Sequence, residues 1–216
     1  MLKPELLYQS TPRCYSTYRL CKSWTDSRES CQRAARRQYH LLINNHRQAN
    51  YEIVVGYRKE FFVQELLEQF ALIKEWLQKH KIIAFHVVEI TEDDFGYPLN
   101  HIHYHFLIDW HYSKRRLHNI FKDACCHAGL QPTEHRVLRP KLIPDRKTFE
   151  HKVKYILKYD KFADQAILFQ PGTGIAKIGA IGRWFINPDG TKANKKAMWK
   201  NIVAGWYPNN SAMSAH

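Results

Sequence analysis

The residues of this chain best equipped for chemistry are the histidines of His101-Ile-His103-Tyr-His105-Phe-Leu-Ile108. They alternate with apolar residues, and successive side chains of a β-strand point to opposite faces. All three imidazoles then share one face, while Ile102, Tyr104 and Phe106 line the other. Imidazoles bind divalent metals, and neighbours on one face form part of a site in advance. A half-buried strand with a polar face explains one such histidine, but strict period two over three positions asks for more. Glu89 ends the preceding predicted strand, fourteen residues before His103. If the two strands pair antiparallel, its carboxylate approaches the histidine face. Two imidazoles, a carboxylate and water form a donor set that suits Mn²⁺ or Mg²⁺. Taken alone, Glu89 is equally an ordinary strand-end carboxylate.

A second group lies in Val153-Lys-Tyr-Ile-Leu-Lys-Tyr-Asp-Lys161. On a helix Tyr155 and Tyr159 share a face, with Lys158 beside it. An activated tyrosine can act as a covalent nucleophile. A phosphodiester becomes a target once a metal neutralises one of its oxygens, and a lysine can stabilise the developing charge. The plainer reading is a pair of aromatics covering a sheet. Charge is the third feature. Leu130–Lys161 holds nine Lys/Arg against four acids, and Lys114-Arg-Arg116 adds another cluster. Basic residues among tyrosine, tryptophan and histidine suit a groove for single-stranded nucleic acid. Lys114, Arg115, Arg116, Arg136, Arg139, Lys154 and Lys161 are the expected contacts.

The elements that must position these groups follow from periodicity. Asn50–Arg58, Ile82–Thr91 and His101–Trp110 read as strands, the last two joined by an acidic turn. Phe61–His80 has helical periodicity. Ser113 caps a helix running to about Ala128, and Gly129 ends it. His135–Arg139 is a short strand, Pro140 and Pro144 bracket a loop, and a helix runs from about Arg146 to Phe162. Ala166–Phe169 reads as another short strand, and Gly172-Thr-Gly174 as a turn. A helix through Ser30–Leu42 carries Arg33, Arg36 and Arg37 on one face. After Asn187 the chain is basic and weakly patterned. This order predicts an α+β fold, an antiparallel sheet with helices on one or both faces. Residues 1–48 read as a basic extension, 49–186 as the main domain, and 187–216 as a basic extension and tail.

The chain has 216 residues, 44% hydrophobic, with a net charge of +13 and a pI near 9.5. That charge points to a polyanion, nucleic acid before anionic membrane. No apolar run is long enough to span a bilayer or to open a secretory signal. Five cysteines, an odd number, fit a reducing compartment. Cys14, Cys21 and Cys31 lack zinc-ribbon spacing, and Cys125 and Cys126 read as buried helix thiols. The expected location is the cytoplasm, in association with DNA, or the nucleus of a eukaryote.

Taken together, HIHYHFLI, Glu89-Ile-Thr91 and Tyr155-Ile-Leu-Lys158-Tyr159 resemble the HUH endonucleases. These are rolling-circle replication initiators (Rep proteins), related transposases and, more distantly, relaxases. The family's H-P-H-x-H segment is matched with Ile102 in place of proline, its E-V-T by Glu89-Ile-Thr91, and its Y-x-x-K-Y in full. Its first motif is matched only loosely by Asn50–Arg58, which lacks the threonines. The likeness covers about residues 50–186. It implies a ferredoxin-like sandwich with a divalent metal on His103, His105 and Glu89, and His101 in a supporting role. It further implies a tyrosine, Tyr155 or Tyr159, that attacks single-stranded or hairpin DNA to form a 5′-phosphotyrosine, with Lys158 assisting. No G-x-x-x-x-G-K-[ST] occurs, so the chain would depend on a host helicase, or be the nuclease part of something longer, with a host polymerase as a further partner. The histidine run also fits the H-φ-H-φ-H-φ-φ pattern of histidine-triad nucleotide hydrolases, which work without metal. A non-catalytic nucleic-acid-binding module is the third reading.

Overall fold

The strand Tyr51–Tyr57 (β1) shows how the sheet is built. Its alternate residues Ile53, Val55 and Tyr57 are buried against one helical layer, and the others, Glu52, Val54 and Gly56, face the opposite side. The computed structural model describes residues 37–57, 63–92, 98–157 and 173–206. After β1 come α1 (Val63–Lys79), β2 (Ile83–Glu92), β3 (Pro98–Asp109), α2 (Lys114–His127) and β4 (His135–Val137). They are followed by β5 (Lys141–Leu142), α3 (Arg146–Ile156), β6 (Thr173–Ile181) and α4 (Lys195–Trp206). All strand pairings are antiparallel, in the order β4-β1-β3-β2-β6, with β5 beside the start of β1. The fold is therefore α+β. Its first six elements form a β-α-β-β-α-β unit with strand order 4-1-3-2, the ferredoxin-like arrangement, and β6 extends the sheet beyond β2.

Each face of the sheet covers a core. On one, Ile53, Val55, Tyr104, Phe106 and Ile108 pack with Phe70, Ile73 and Leu77 of α1 and Leu117 and Phe121 of α2. On the other, Phe85, Val87 and Leu107 pack with Phe149, Val153 and Ile156 of α3. At roughly 1.5–3 kcal/mol for each fully buried side chain, those three residues hold a helix too short to persist alone. Leu41 and Leu42, from the helical residues 37–43, and Trp184, Phe185 and Ala193 complete the second core. Met198, Trp199 and Ile202 of α4 pack against it. The core thus draws on residues to either side of 49–186.

Local signals set the helix ends. Ser113 Oγ accepts from the Arg116 N–H, and Asp145 accepts from the Thr148 N–H. Gly129, at φ 79°, takes the left-handed conformation that ends α2.

Three details differ from expectation. Thr173 and Gly174, expected in a turn, instead open β6, which runs as an edge strand. One of its glycines has a use, since a Cβ at Gly179 would lie 2.7 Å from His86 Nε2. The segment after Asn187 contains α4, whose first turn is capped by Asn194 Oδ1. Between Pro140 and Pro144 lies β5. The helix α3 is described over Arg146–Ile156, with Leu157 donating its N–H to the Val153 carbonyl, and the expected continuation to Phe162 lies outside the described residues. Ala166–Phe169 lies outside the described residues. Among the described residues, no helix is long and apolar enough to cross a membrane.

Candidate functional site

The antiparallel register brings Glu89 directly opposite His103 on β3, and His103 opposite Gly56 on β1. Gly56 in turn faces Arg136 on β4. Residues directly opposite on adjacent strands project to the same face. One row across the sheet therefore reads cation, glycine, imidazole, carboxylate. Gly56 leaves room for its neighbour, since a Cβ there would come 3.1 Å from His103 Cδ2. His105 lies two residues along β3 on the same face.

His105 sits between two acids. Its Nε2 is 2.9 Å from Glu89 Oε2, and its Nδ1 is 3.7 Å from Glu52 Oε1. Glu52 Oε2 is 2.7 Å from the Nζ of Lys152, which belongs to α3. Glu52, Glu89 and His105 are all buried. Such a chain of alternating charge is what allows ionised groups to remain there. Burial works against the imidazolium of His105, but Glu52 and Glu89 outweigh it and hold its pKa above the ordinary 6.5. Burial would likewise raise the Glu52 carboxyl, yet His105 and Lys152 together pull it down to about 2.

Tyr155 stands at the mouth of this buried group. It occupies the last turn of α3, 53% exposed, with its ring centroid 6.1 Å from that of His105. Burial raises its phenol pKa above 10, and the charges of Glu89 and Glu52 push in the same direction. Lys152, one turn earlier, places its ammonium 5.9 Å from the Tyr155 ring centroid. The solvent-facing parts of the site are thus Tyr155 and the half-buried His103, with the carboxylates beneath.

The structure brings together four of the expected residues, His103, His105, Glu89 and Tyr155. Arg136 lies exposed at the end of their row. His101 pairs with Thr91 on β2. Lys158, Tyr159 and Lys161 lie outside the described residues, as do Cys14, Cys21 and Cys31. Lys154 approaches Tyr39, its Nζ 5.9 Å from that ring. Arg139 is exposed beyond β4. Lys114, Arg115 and Arg116 are exposed in the first turn of α2, in the layer covering the other face. Of the paired thiols only Cys125 is buried, its pKa pushed up to about 12 by burial, while Cys126 is exposed.

Glu52 and Lys152 were not expected. A lone acid in the apolar strand Tyr51–Tyr57 was the available signal for Glu52, because a carboxylate buried in a sheet needs a cation. Lys152 was signalled by spacing, since i−3 from Tyr155 lies as near on a helix as i+3.

As the side chains stand, no group of three or more His, Cys, Asp or Glu among the described residues is gathered closely enough to hold a metal ion. The donor chemistry nonetheless fits one. Two adjacent ligands on an octahedral ion with bonds of about 2.1 Å lie about 3 Å apart, close to the 2.9 Å between His105 Nε2 and Glu89 Oε2. His103, opposite Glu89 in register, would be a third donor on that face. Comparison with protein-family models, with curated proteins and with solved structures returns no match.

Proposed function

We propose that this chain is a metal-dependent endonuclease and strand transferase of the HUH type. It would act on single-stranded or hairpin DNA through a covalent 5′-phosphotyrosine, in rolling-circle replication or transposition. The observation that carries the reading is the approach of Tyr155, on its own helix, to His105 on the face shared with His103 and Glu89. Y-x-x-K motifs and histidine strands are each short, and their meeting across two layers of the fold is far more restrictive.

The chemistry is a transesterification. Tyr155 Oη bonds to the scissile phosphorus, the P–O3′ bond breaks, and the leaving 3′ oxygen takes up a proton. His103, His105 and Glu89 would hold Mn²⁺ or Mg²⁺, which when bound neutralises a non-bridging phosphate oxygen. Tyr155 is protonated at neutral pH, since burial and two carboxylates all favour the phenol. Its proton must therefore leave during the attack. Lys152, beside the ring, offsets the field of Glu52 and Glu89 as the phenolate develops. Arg136, in the row of His103 and exposed, would pair with a backbone phosphate. The phosphotyrosine conserves the energy of the broken bond, so the same groups can rejoin strands. A polymerase and a helicase would act as partners, and Tyr159 remains the second nucleophile of the motif.

The test is adduct formation on single-stranded oligonucleotides with Mn²⁺, read as a protein band shifted under denaturing conditions. Tyr155→Phe should abolish or sharply reduce the band, and Tyr155→Phe with Tyr159→Phe should leave none. A band that persists in the double variant refutes the nucleophile assignment. Activity on small nucleotides that survives EDTA would point instead to a histidine-triad hydrolase.

A further inference from the structure

We propose that Glu52 is a positioning residue that ties the histidine strand to the helix of the nucleophile. The inference rests on the metal-dependent reading above and adds Glu52, to which that reading gives no part in the chemical step.

Glu52 is 2% exposed and lies on the same sheet face as His105, two residues from Val54, the register partner of His105. Its two oxygens do different work. Oε1 faces His105 Nδ1 at 3.7 Å, and Oε2 meets Lys152 Nζ at 2.7 Å. His105 Nδ1 is itself buried and makes no hydrogen bond, so the Glu52 carboxylate is the charge it faces. With Nδ1 turned toward a carboxylate, the ring presents Nε2 to Glu89. This is the arrangement by which a carboxylate behind a ligating histidine sets its tautomer and ring plane.

The second oxygen acts on α3. The helix meets the sheet through Phe149, Val153 and Ile156, and apolar contacts of this kind have little directional preference. The Lys152–Glu52 ion pair adds a fixed point one turn before Tyr155. It sets how far along the sheet the helix sits, and so where the phenol stands over the histidines. One buried carboxylate would thereby hold the ligand side and the nucleophile side in a common frame.

The experiment compares Glu52→Leu, Glu52→Gln and Lys152→Met with the wild-type chain. Two quantities are read: Mn²⁺ affinity, from the electron paramagnetic resonance of the free ion, and the rate of adduct formation at saturating Mn²⁺. Glu52→Leu removes the acceptor behind His105 and should weaken Mn²⁺ binding by about 10–100-fold. Glu52→Gln keeps an oxygen without the charge and should fall between. Lys152→Met touches no ligand and keeps the Glu52 side chain behind His105, so it should weaken Mn²⁺ binding much less than Glu52→Leu does, yet slow the adduct step. Lys152→Arg should restore much of that rate. A purely structural role would move both readouts together for both residues. Wild-type Mn²⁺ affinity in Glu52→Leu overturns the inference, as does an equal loss in Lys152→Met. If Glu52→Leu does not fold, the near-isosteric Glu52→Gln supplies the same comparison. Failure of the wild-type chain itself to bind Mn²⁺ overturns the reading of the site, and this inference with it. Normal binding by wild type and variants alike overturns the inference alone.

Discussion

Replacing Glu52 by glutamine should cost the metal-free fold most at neutral pH and progressively less in acid. The carboxyl is held at about 2 against an ordinary 4.5, with His105 and Lys152 overcoming the opposing effect of burial. A depressed acid contributes stability that is present above its unfolded pKa and is lost as pH falls through its folded one. A displacement of this size corresponds to at most about 3 kcal/mol. Lys152, with its side chain 24% exposed, lets solvent screen part of it, so about 1–3 kcal/mol is the working range. By about pH 3 more than half of the contribution has gone, since the unfolded carboxyl is then largely protonated. The assay is urea unfolding in EDTA, followed by the fluorescence of buried Trp184 and Trp110, at about pH 7, 5 and 3. The wild-type advantage should narrow down that series. An advantage of equal size at every pH refutes the electrostatic account and leaves only packing.

The remaining expectations concern the same face and its supports. His105 has its pKa raised, so its contribution to metal-free stability is full below about 6.5 and lost as pH rises through the folded value. A divalent ion must displace that proton, so Mn²⁺ affinity should climb with pH across that range, and calorimetry in two buffers should detect proton release. Gly56→Ala should change thermal stability little but press on the His103 ring at 3.1 Å, weakening Mn²⁺ binding relative to wild type. Gly179→Ala should destabilise the fold by about 1–3 kcal/mol, because its Cβ meets buried His86 at under 3 Å, and the urea midpoint reports it.

Where pattern and burial coincide, the sequence could be read. β2, β3, α1 and α2 have apolar periods of two or three to four, and the period of β3 alone put His103 and His105 on one face. Antiparallel pairing then placed Glu89 opposite His103, as the short connection between the strands required. β6 was hidden because glycine weakens strand propensity, and its reason for being there, the imidazole of His86 over Gly179, is a long-range contact. α4 was hidden by lysines that dilute its apolar face, although Asn194 marked its start. Glu52 is buried because α3, through Lys152, closes over its face of β1, a long-range contact that the pattern of β1 itself does not record.

The two cores also differ in the order in which the chain can complete them. Everything in the first, apart from Ile181, lies within Ile53–Leu130, a run of neighbouring segments. The second gathers Tyr39, Leu41 and Leu42 from one end of the described chain and Trp184, Phe185 and Ala193 from the other, with α3 between. Closing such distant segments costs more chain entropy, so contacts of this kind form late and open early. Tyr155 rides on the late layer and His105 on the early one. A chain emerging from the ribosome would therefore bring Tyr155 over His105 only after the segments that flank α3 on both sides had been made, and would carry the histidine strand uncovered on that face until then. Native-state hydrogen exchange should show the amides of α3 opening at lower free energy than those of β1 and β3. Equal protection in the two layers would mean that they form as one cooperative unit.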